Sequence, residues 1–225
     1  MPAEGGRRVR RAIVLAGGDP VEPQLRKLLP DDALVVAADS GVHQAERLGL
    51  HVDLVVGDLD SADPAAVERA RDAGAEVFAF PAEKDATDLE LAVELARDRG
   101  AEHITLAGGA GARLDHFLAN VALLASPSIA GIRVDAFLGD AYVAVARGGE
   151  APIEIEGVVG SLVTLLPVDG DAGGVTTTGM QYPLQGETLR SGTSRGVSNV
   201  LVTERAAVEL EAGSLLVIQP TGGVS

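Results

Sequence analysis

Two aspartates, Asp58 and Asp60, stand two positions apart directly after a short apolar run. This spacing brings two carboxylates together where the backbone turns out of a strand. In proteins Mg²⁺ is usually held by one or two carboxylates, several waters and the phosphates of a substrate. The pair therefore predicts a Mg²⁺ site. The alternative is an ordinary turn in which the aspartates cap Ser61 and the following helix, because Asp is common in turns.

A second acidic pair, Asp85 and Asp88, straddles a predicted helix start, and Lys84 precedes it. Carboxylates at a helix N-terminus stabilise the helix dipole by about 0.3–1 kcal/mol, which is one interpretation of the pair. That interpretation does not explain Lys84, because a cation is unfavourable there unless it faces an anion. A phosphate held between Lys84 and a Mg²⁺ ion on Asp88 accounts for all three residues.

A glycine-rich loop at Gly108–Gly111 leads into a predicted helix and has one basic residue, Arg113, near its end. Backbone N–H groups at a helix N-terminus bind phosphate, and glycine lets the backbone come close to it. The loop has neither the dinucleotide fingerprint nor the Lys-Ser/Thr of a P-loop, so an ordinary glycine loop is the alternative. His116 is either a phosphate contact or a polar residue of the helix start.

Short apolar runs alternate with helical patterns over the first 140 residues, which predicts a mostly parallel, doubly wound sheet covered by helices. The predicted strands are Arg11–Ala16, Leu34–Ala38, Val52–Val56, Glu76–Phe80, His103–Ala107 and Arg133–Leu138. The predicted helices lie near Glu22–Leu29, Val42–Leu48, Pro64–Ala73, Asp88–Arg99 and Leu114–Ala125. Ligands bind beyond the carboxyl ends of such strands, and polar residues follow five of them. We therefore expect one polar rim.

After about residue 140 the pattern changes to short apolar runs separated by Gly, Asp and Pro. The predicted strands there are Ile153–Glu156, Ser161–Val168, Val197–Thr203, Ala206–Glu211 and Ser214–Gln219. No helix-length amphipathic window occurs among them, which favours an antiparallel β domain. The sequence thus predicts an α/β domain over residues 1–140 and an all-β sandwich over residues 141–225.

The composition excludes several classes of function. The net charge of −15 disfavours nucleic acid and anionic membrane surfaces as partners. The absence of cysteine excludes disulfides, thiolate zinc sites and cysteine nucleophiles. No apolar run approaches the roughly 20 residues of a membrane-spanning helix, and no signal-peptide pattern is seen at the N-terminus. We therefore expect a cytoplasmic protein.

Taken in order, these motifs resemble the thiamine pyrophosphokinase family. The resemblance is carried by Ala38–Gly41, Gly57–Ser61, Lys84–Glu90, Gly108–Gly109 with Arg113–His116, Asn120, Thr178–Leu184 and Gly192–Asn199. It covers roughly residues 10 to 220. The resemblance implies an α/β catalytic domain, a C-terminal β-sandwich, and a homodimer with its active sites between subunits.

The resemblance also implies roles for individual residues. The candidate Mg²⁺ ligands are Asp39, Asp58, Asp60 and Asp88. The candidate contacts to ATP and its phosphates are Lys84, Gly108, Gly109, Arg113, Asp115 and His116. The candidate contacts to thiamine are Tyr182, Ser198 and Asn199. Two positions depart from the family pattern. The family often has Gly where Ala112 stands, and some members have Trp at Tyr182, which can still stack on an aminopyrimidine ring or instead close the small core.

The implied reaction is attack of the thiamine hydroxyl on the β-phosphorus of ATP, with AMP as the leaving group. Catalysis is then mainly positioning and electrostatics, and Asp85 or Asp88 is a candidate acceptor of the hydroxyl proton. Two other functions remain open. One is a pyrophosphokinase for another alcohol such as a hydroxymethylpterin. The segment at Ser198 and Asn199 favours thiamine over such an alcohol. The other is a non-catalytic nucleotide or thiamine sensor, against which the complete acidic blocks argue.

Overall fold

A computed structural model describes residues 10–111 and 113–221 of the chain. Within these ranges the chain divides into two compact units. The first comprises the residues up to Phe117 together with Gly131–Val134, and the second comprises Leu118–Ala130 together with the residues from Asp135 onward. None of the helices in the described ranges is long and apolar enough to cross a membrane. The predicted domain boundary at residue 140 stays a prediction.

The first unit contains a sheet of five parallel strands in the order β4-β3-β2-β1-β5. Their bounds are Arg11–Leu15 (β1), Leu34–Ala38 (β2), Leu54–Gly57 (β3), Glu76–Ala79 (β4) and His103–Ala107 (β5). The central strand β1 is almost entirely buried, as the continuous apolar runs predict for a sheet covered on both faces. Parallel strands in the N-terminal part of the chain are thus confirmed.

The described residues contain four α-helices, and their bounds are Gly41–Leu48 (α1), Pro64–Asp72 (α2), Asp88–Asp98 (α3) and Leu114–Leu124 (α4). Most of α4 belongs to the second unit. Helix α3 begins at a good capping residue, because the Thr87 hydroxyl accepts a hydrogen bond from the Glu90 N–H at 3.1 Å. The predicted helix at Glu22–Leu29 is instead a 3₁₀ segment, Pro23–Leu28. The window is short and is followed by Pro30, so an α-helix cannot extend through it.

The β-rich C-terminal region is antiparallel, as predicted. Its strands are Arg133–Leu138 (β6), Ala141–Arg147 (β7), Ile153–Glu156 (β8), Leu162–Thr178 (β9), Glu187–Leu189 (β10), Asn199–Val200 (β11), Arg205–Glu209 (β12) and Ala212–Pro220 (β13). The order is β6-β7-β13-β9-β12-β8, and β10 and β11 also pair with β9. Buried aliphatic side chains from most of these strands form one core.

Several predicted strand limits in this region are wrong. The strand β7 was not predicted, although Gly139 and Asp140 between two apolar runs are a hairpin signal. The strand β10 was also not predicted. The strand β9 is 17 residues long and continues past its predicted end at Val168 to Thr178, because Asp169 and Gly170 adopt positive φ angles of 59° and 117° without ending the strand.

The predicted strand Val197–Thr203 is reduced to the two residues of β11. Ser198 has a φ of 58°, which is not an extended conformation. The N–H of Val197 donates to Ser194 O at 3.1 Å, so the chain turns immediately before β11.

Candidate active site

The strand order of the first unit reverses at β1, since β2, β3 and β4 lie on one side of this strand and β5 lies on the other. In parallel sheets, ligands bind at the carboxyl ends of the strands beside such a reversal. The segments after the strands are joined by backbone hydrogen bonds, for example from Asp39 N to Val56 O at 2.8 Å and from Gly109 N to Gly17 O at 2.7 Å. These contacts bring the ends of neighbouring strands together on one rim.

Three carboxylates meet after β2 and β3. One oxygen from each of Asp39, Asp58 and Asp60 lies within 4.8 Å of the other two. Asp58 accepts a hydrogen bond from the Asp60 N–H at 3.2 Å, so the Asx turn of the alternative interpretation is present as well. The cap of helix α2 is a different residue, Asp63, whose side chain accepts from Ala65 N. The predicted carboxylate pair is therefore joined by a third acid from the neighbouring strand.

The charges of this cluster perturb one another. The negative charge of Asp58 raises the pKa of Asp60. The Asp60 N–H lowers the pKa of Asp58, and the ammonium group of Lys84 adds to this effect, so that together they outweigh burial. Neighbouring carboxylates without a cation repel each other in this way.

Asp39 has the geometry of a residue held for a ligand. Its φ of 46° is unusual for a residue other than glycine. The hydroxyl of Ser61 donates to Asp39 Oδ2. The other oxygen, Oδ1, is buried and has no hydrogen-bond partner among the residues that the structure describes. A buried, unpaired carboxylate oxygen beside two further acids fits a hard divalent cation.

Ser61 is a site residue that its sequence pattern indicates only as part of the turn. It lies 22 positions from Asp39 in the chain, and its hydroxyl fixes which oxygen of that carboxylate is left for a ligand. Only its place in the Gly57–Ser61 block, directly after Asp60, could have indicated this.

Lys84 lies between two acids. Its Nζ is 2.8 Å from Asp88 Oδ1 and 3.3 Å from Asp58 Oδ2, and its side chain is only 14% exposed. The contact with Asp88 is the main cause of a raised pKa for Lys84, so the amine stays protonated. The contact with the buried Asp88 Oδ1 has the distance of an ion pair but not the angles of a directed hydrogen bond. In the structure Lys84 thus faces two carboxylates, and the phosphate that it was predicted to hold stays a prediction.

Gly57 lets these acids approach each other. A Cβ atom at this position would lie 3.1 Å from Asp88 Cγ and 3.2 Å from Asp39 Cβ, which is closer than ordinary van der Waals contact. Its φ of 150° also disfavours an L side chain. Glycine at the end of β3 therefore leaves the space in which the side chains of Asp39 and Asp88 pack.

We expect Gly57→Ala to weaken divalent-cation binding and to destabilise the fold by about 1–3 kcal/mol, the usual cost of such a backbone conformation. Gly49→Ala is the matched control, because Gly49 also has positive φ but a Cβ there would meet nothing within 4 Å. Mn²⁺ binding by electron paramagnetic resonance and urea unfolding measure the two effects. Equal Mn²⁺ affinity in both variants would contradict the proposed packing role.

The glycine-rich loop after β5 packs against the loop after β1. A Cβ at Gly18 would lie 2.0 Å from Ala110 O, and one at Gly108 would lie 2.3 Å from Ala16 O. The Gly109 N–H already donates to a backbone carbonyl in this conformation. Gly108 thus has a packing reason that needs no ligand, and the phosphate contacts of Gly108 and Gly109 stay a prediction. Ala112 lies outside the described residues.

The remaining predicted phosphate residues are exposed. Arg113 donates to the carboxylate of Asp115 at 2.6 and 3.2 Å. This contact lowers the pKa of Asp115 to about 2. His116, in the first turn of α4, and Asp85, before α3, are also exposed. Neither His116 nor Asp85 belongs to the cluster of Asp39, Asp58 and Asp60.

The predicted thiamine residues lie in the second unit. Tyr182, in the segment between β9 and β10, is 61% exposed, so the interpretation that it closes the small core is wrong. Ser198 is exposed, and its N–H donates to Thr164 Oγ1 at 3.0 Å. Asn199 is 4% exposed and contacts the backbone of Tyr182.

Comparison with known proteins places both parts of the chain in one family. Residues 25–135 match the family described as thiamin pyrophosphokinase, catalytic domain. Residues 152–217 match thiamin pyrophosphokinase, vitamin B1 binding domain.

Individual relatives agree with this match. The chain is similar to thiamine pyrophosphokinase of Bacillus subtilis, with 28% identity over 93% of this chain and 97% of the relative. The crystal structure of thiamine pyrophosphokinase from Bacillus subtilis superposes with a TM-score of 0.82 at 25% identity, over 94% of this chain and 99% of the other. Thiamin pyrophosphokinase from Candida albicans shares the fold, with a TM-score of 0.77 at 13% identity over 94% and 89% of the two chains.

Proposed function

The chain belongs to the thiamine pyrophosphokinase family, and we propose that it transfers a diphosphate group from ATP to the hydroxyl of thiamine, giving thiamine diphosphate and AMP. The observation that carries this proposal is the cluster of Asp39, Asp58 and Asp60 beside Lys84 at the carboxyl ends of a parallel sheet. Cation-binding acids beside a protonated amine suit the charge that spreads over a transferring phosphoryl group.

We propose that Asp39, Asp58 and Asp60 hold Mg²⁺. A bound Mg²⁺ ion neutralises phosphate charge and orients the triphosphate. Asp88 stays a predicted ligand, and in the structure it holds Lys84. The ammonium of Lys84 then faces the phosphates and stabilises the negative charge that develops on the leaving group. Arg113, with Asp115 and His116 beside it, is proposed to contact the nucleotide.

In the proposed reaction, the thiamine hydroxyl oxygen forms a bond to the β-phosphorus while the bond from this phosphorus to the α,β-bridging oxygen breaks. AMP leaves with that bridging oxygen. The hydroxyl proton passes to a carboxylate, for which Asp85 or Asp88 is the candidate. Of the two, Asp85 is the exposed one and Asp88 is ion-paired.

We further propose that residues 1–140 form a doubly wound α/β catalytic domain and that residues 141–225 form a thiamine-binding β-sandwich. The exposed Tyr182 and Ser198 are the proposed thiamine contacts of the latter. We also propose a cytoplasmic homodimer with active sites at the subunit interface. Large apolar side chains that are exposed in the single chain, such as Val158, Val159 and Leu162, support an association of this kind.

The test is an incubation of the protein with ATP, Mg²⁺ and thiamine. We expect AMP and thiamine diphosphate in equal amounts. Formation of ADP and thiamine monophosphate would contradict attack at the β-phosphorus. Turnover with a hydroxymethylpterin and not with thiamine would reassign the alcohol, and no nucleotide product with either alcohol would favour a sensor.

A further inference from the structure

Asn199 is directed inward, although it adjoins the exposed Ser198. It is 4% exposed. Its Oδ1 accepts hydrogen bonds from Tyr182 N at 3.0 Å and from Val200 N at 2.9 Å, and its Nδ2 donates to Tyr182 O at 2.8 Å. The amide therefore pairs with both backbone polar groups of one residue, much as a neighbouring β-strand would. The two bonds to Oδ1 fill both acceptor positions of the Asn199 oxygen.

Tyr182 combines a fixed backbone with an exposed side chain. The two bonds from Asn199 hold its N–H and its carbonyl, while 61% of the residue is exposed to solvent. A second side-chain hydrogen bond fixes the backbone two residues later, where Leu184 N donates to Thr177 Oγ1 at 2.9 Å. An exposed aromatic ring on a segment tied at two points is suited to meet a flat ligand without further ordering.

We propose that Asn199 is a positioning residue that holds the Tyr182 ring ready for the thiamine ring, and that it does not itself contact thiamine. This inference rests on the proposed function and on Tyr182 as the residue that stacks on the ligand. It differs from the role that the family resemblance implies for Asn199. The reason is geometric, because the buried amide is already paired with protein backbone.

The composition of the chain allows a direct test. The protein has no Trp and two Tyr residues, Tyr142 and Tyr182. In a Tyr142→Phe background, Tyr182 is the only source of intrinsic tyrosine fluorescence. Tyr142 packs against Phe137 at 5.2 Å between ring centroids, and Phe preserves this ring contact. The fluorescence anisotropy of the ligand-free enzyme then reports the mobility of Tyr182 alone.

In this background, Asn199→Ala is expected to lower the Tyr182 anisotropy before any ligand is added. Thiamine affinity, measured by isothermal titration calorimetry, is expected to fall by about two- to tenfold, the usual effect of having to order one more side chain on binding. The Michaelis constant for ATP is expected to stay unchanged. Gln219→Ala is the matched control, since it also removes an amide-to-backbone bond, from Gln219 Nε2 to Glu156 O at 3.2 Å, without touching Tyr182.

Each outcome decides the question. A lower thiamine affinity with unchanged anisotropy would overturn the proposal in favour of direct contact by Asn199. A lower anisotropy with unchanged thiamine affinity would overturn it as well, because the position of Tyr182 would then not matter for binding. If the protein with both tyrosines in place binds no thiamine, it is the proposed function that fails.

A second variant covers the case in which Asn199→Ala does not fold, which circular dichroism would show. Asn199→Asp keeps the shape and the oxygen that accepts from Tyr182 N but removes the N–H that donates to Tyr182 O. We expect its anisotropy to lie below that of the parent. An anisotropy equal to that of the parent would overturn the proposal.

Discussion

Asp60→Asn is expected to lower Mg²⁺-dependent turnover by at least about 100-fold, because a catalytic metal contributes several kcal/mol of charge stabilisation. The same variant should not be less stable than the parent in the absence of metal. Asp60 is exposed, and the charge of Asp58 raises its pKa. Removal of one negative charge relieves this repulsion, and Asn has the same shape as Asp.

Thermal unfolding with and without Mg²⁺ measures both effects, since a ligand that binds only the folded state raises the midpoint. The parent is expected to gain stability from Mg²⁺ and Asp60→Asn to gain little. Asp63→Asn is the matched control, because Asp63 lies three residues further along the same segment and caps helix α2, a role that Asn also fills. Early melting of metal-free Asp60→Asn with near-normal turnover would mean that Asp60 builds the turn and holds no metal.

The sequence predicts that the polar residues after the parallel strands lie on one rim of the sheet. It does not predict which of their side chains form hydrogen bonds with one another. Polar residues that follow buried parallel strands must meet at one edge, and this places Asp39 near Asp58 from strand periodicity alone. The bond from Ser61 to Asp39 joins residues 22 positions apart. Asp39 also has a φ of 46°, for which no local pattern in the sequence is a signal.

The loops and the β region show a second limit of sequence reasoning. A glycine near a phosphate and a glycine near a backbone carbonyl look the same in a sequence, so the close approach of Gly108 to Ala16 O could not be foreseen. Around β11 the alternation of inward and outward residues is broken by the φ of 58° at Ser198. Because one such residue interrupts the strand, the exposed side chain of Val197 and the short length of β11 were not predictable from strand periodicity.

Lys84→Met is expected to lower turnover by about 100- to 1,000-fold, the usual effect of removing one group that stabilises charge in a transition state. In contrast to this loss of turnover, the affinity of the metal site for a divalent cation is not expected to fall. Lys84 contacts both Asp58 and Asp88 in the structure. Without this ammonium group the carboxylates are free for a divalent cation, so Mn²⁺ should bind as tightly as in the parent or more tightly.

The stability of Lys84→Met distinguishes this interpretation from general damage to the site. Loss of the ion pair leaves the buried Asp88 Oδ1 uncompensated, which is expected to cost about 1–3 kcal/mol in metal-free enzyme. Mg²⁺ should restore part of this loss, whereas Asp60→Asn should show no such loss and little response to Mg²⁺. Lys27, the only other lysine of the chain, is exposed, and Lys27→Met is the control. If Lys84→Met bound Mn²⁺ more weakly than the parent, Lys84 would have to support the cluster structurally, and its assignment to the phosphates would be wrong.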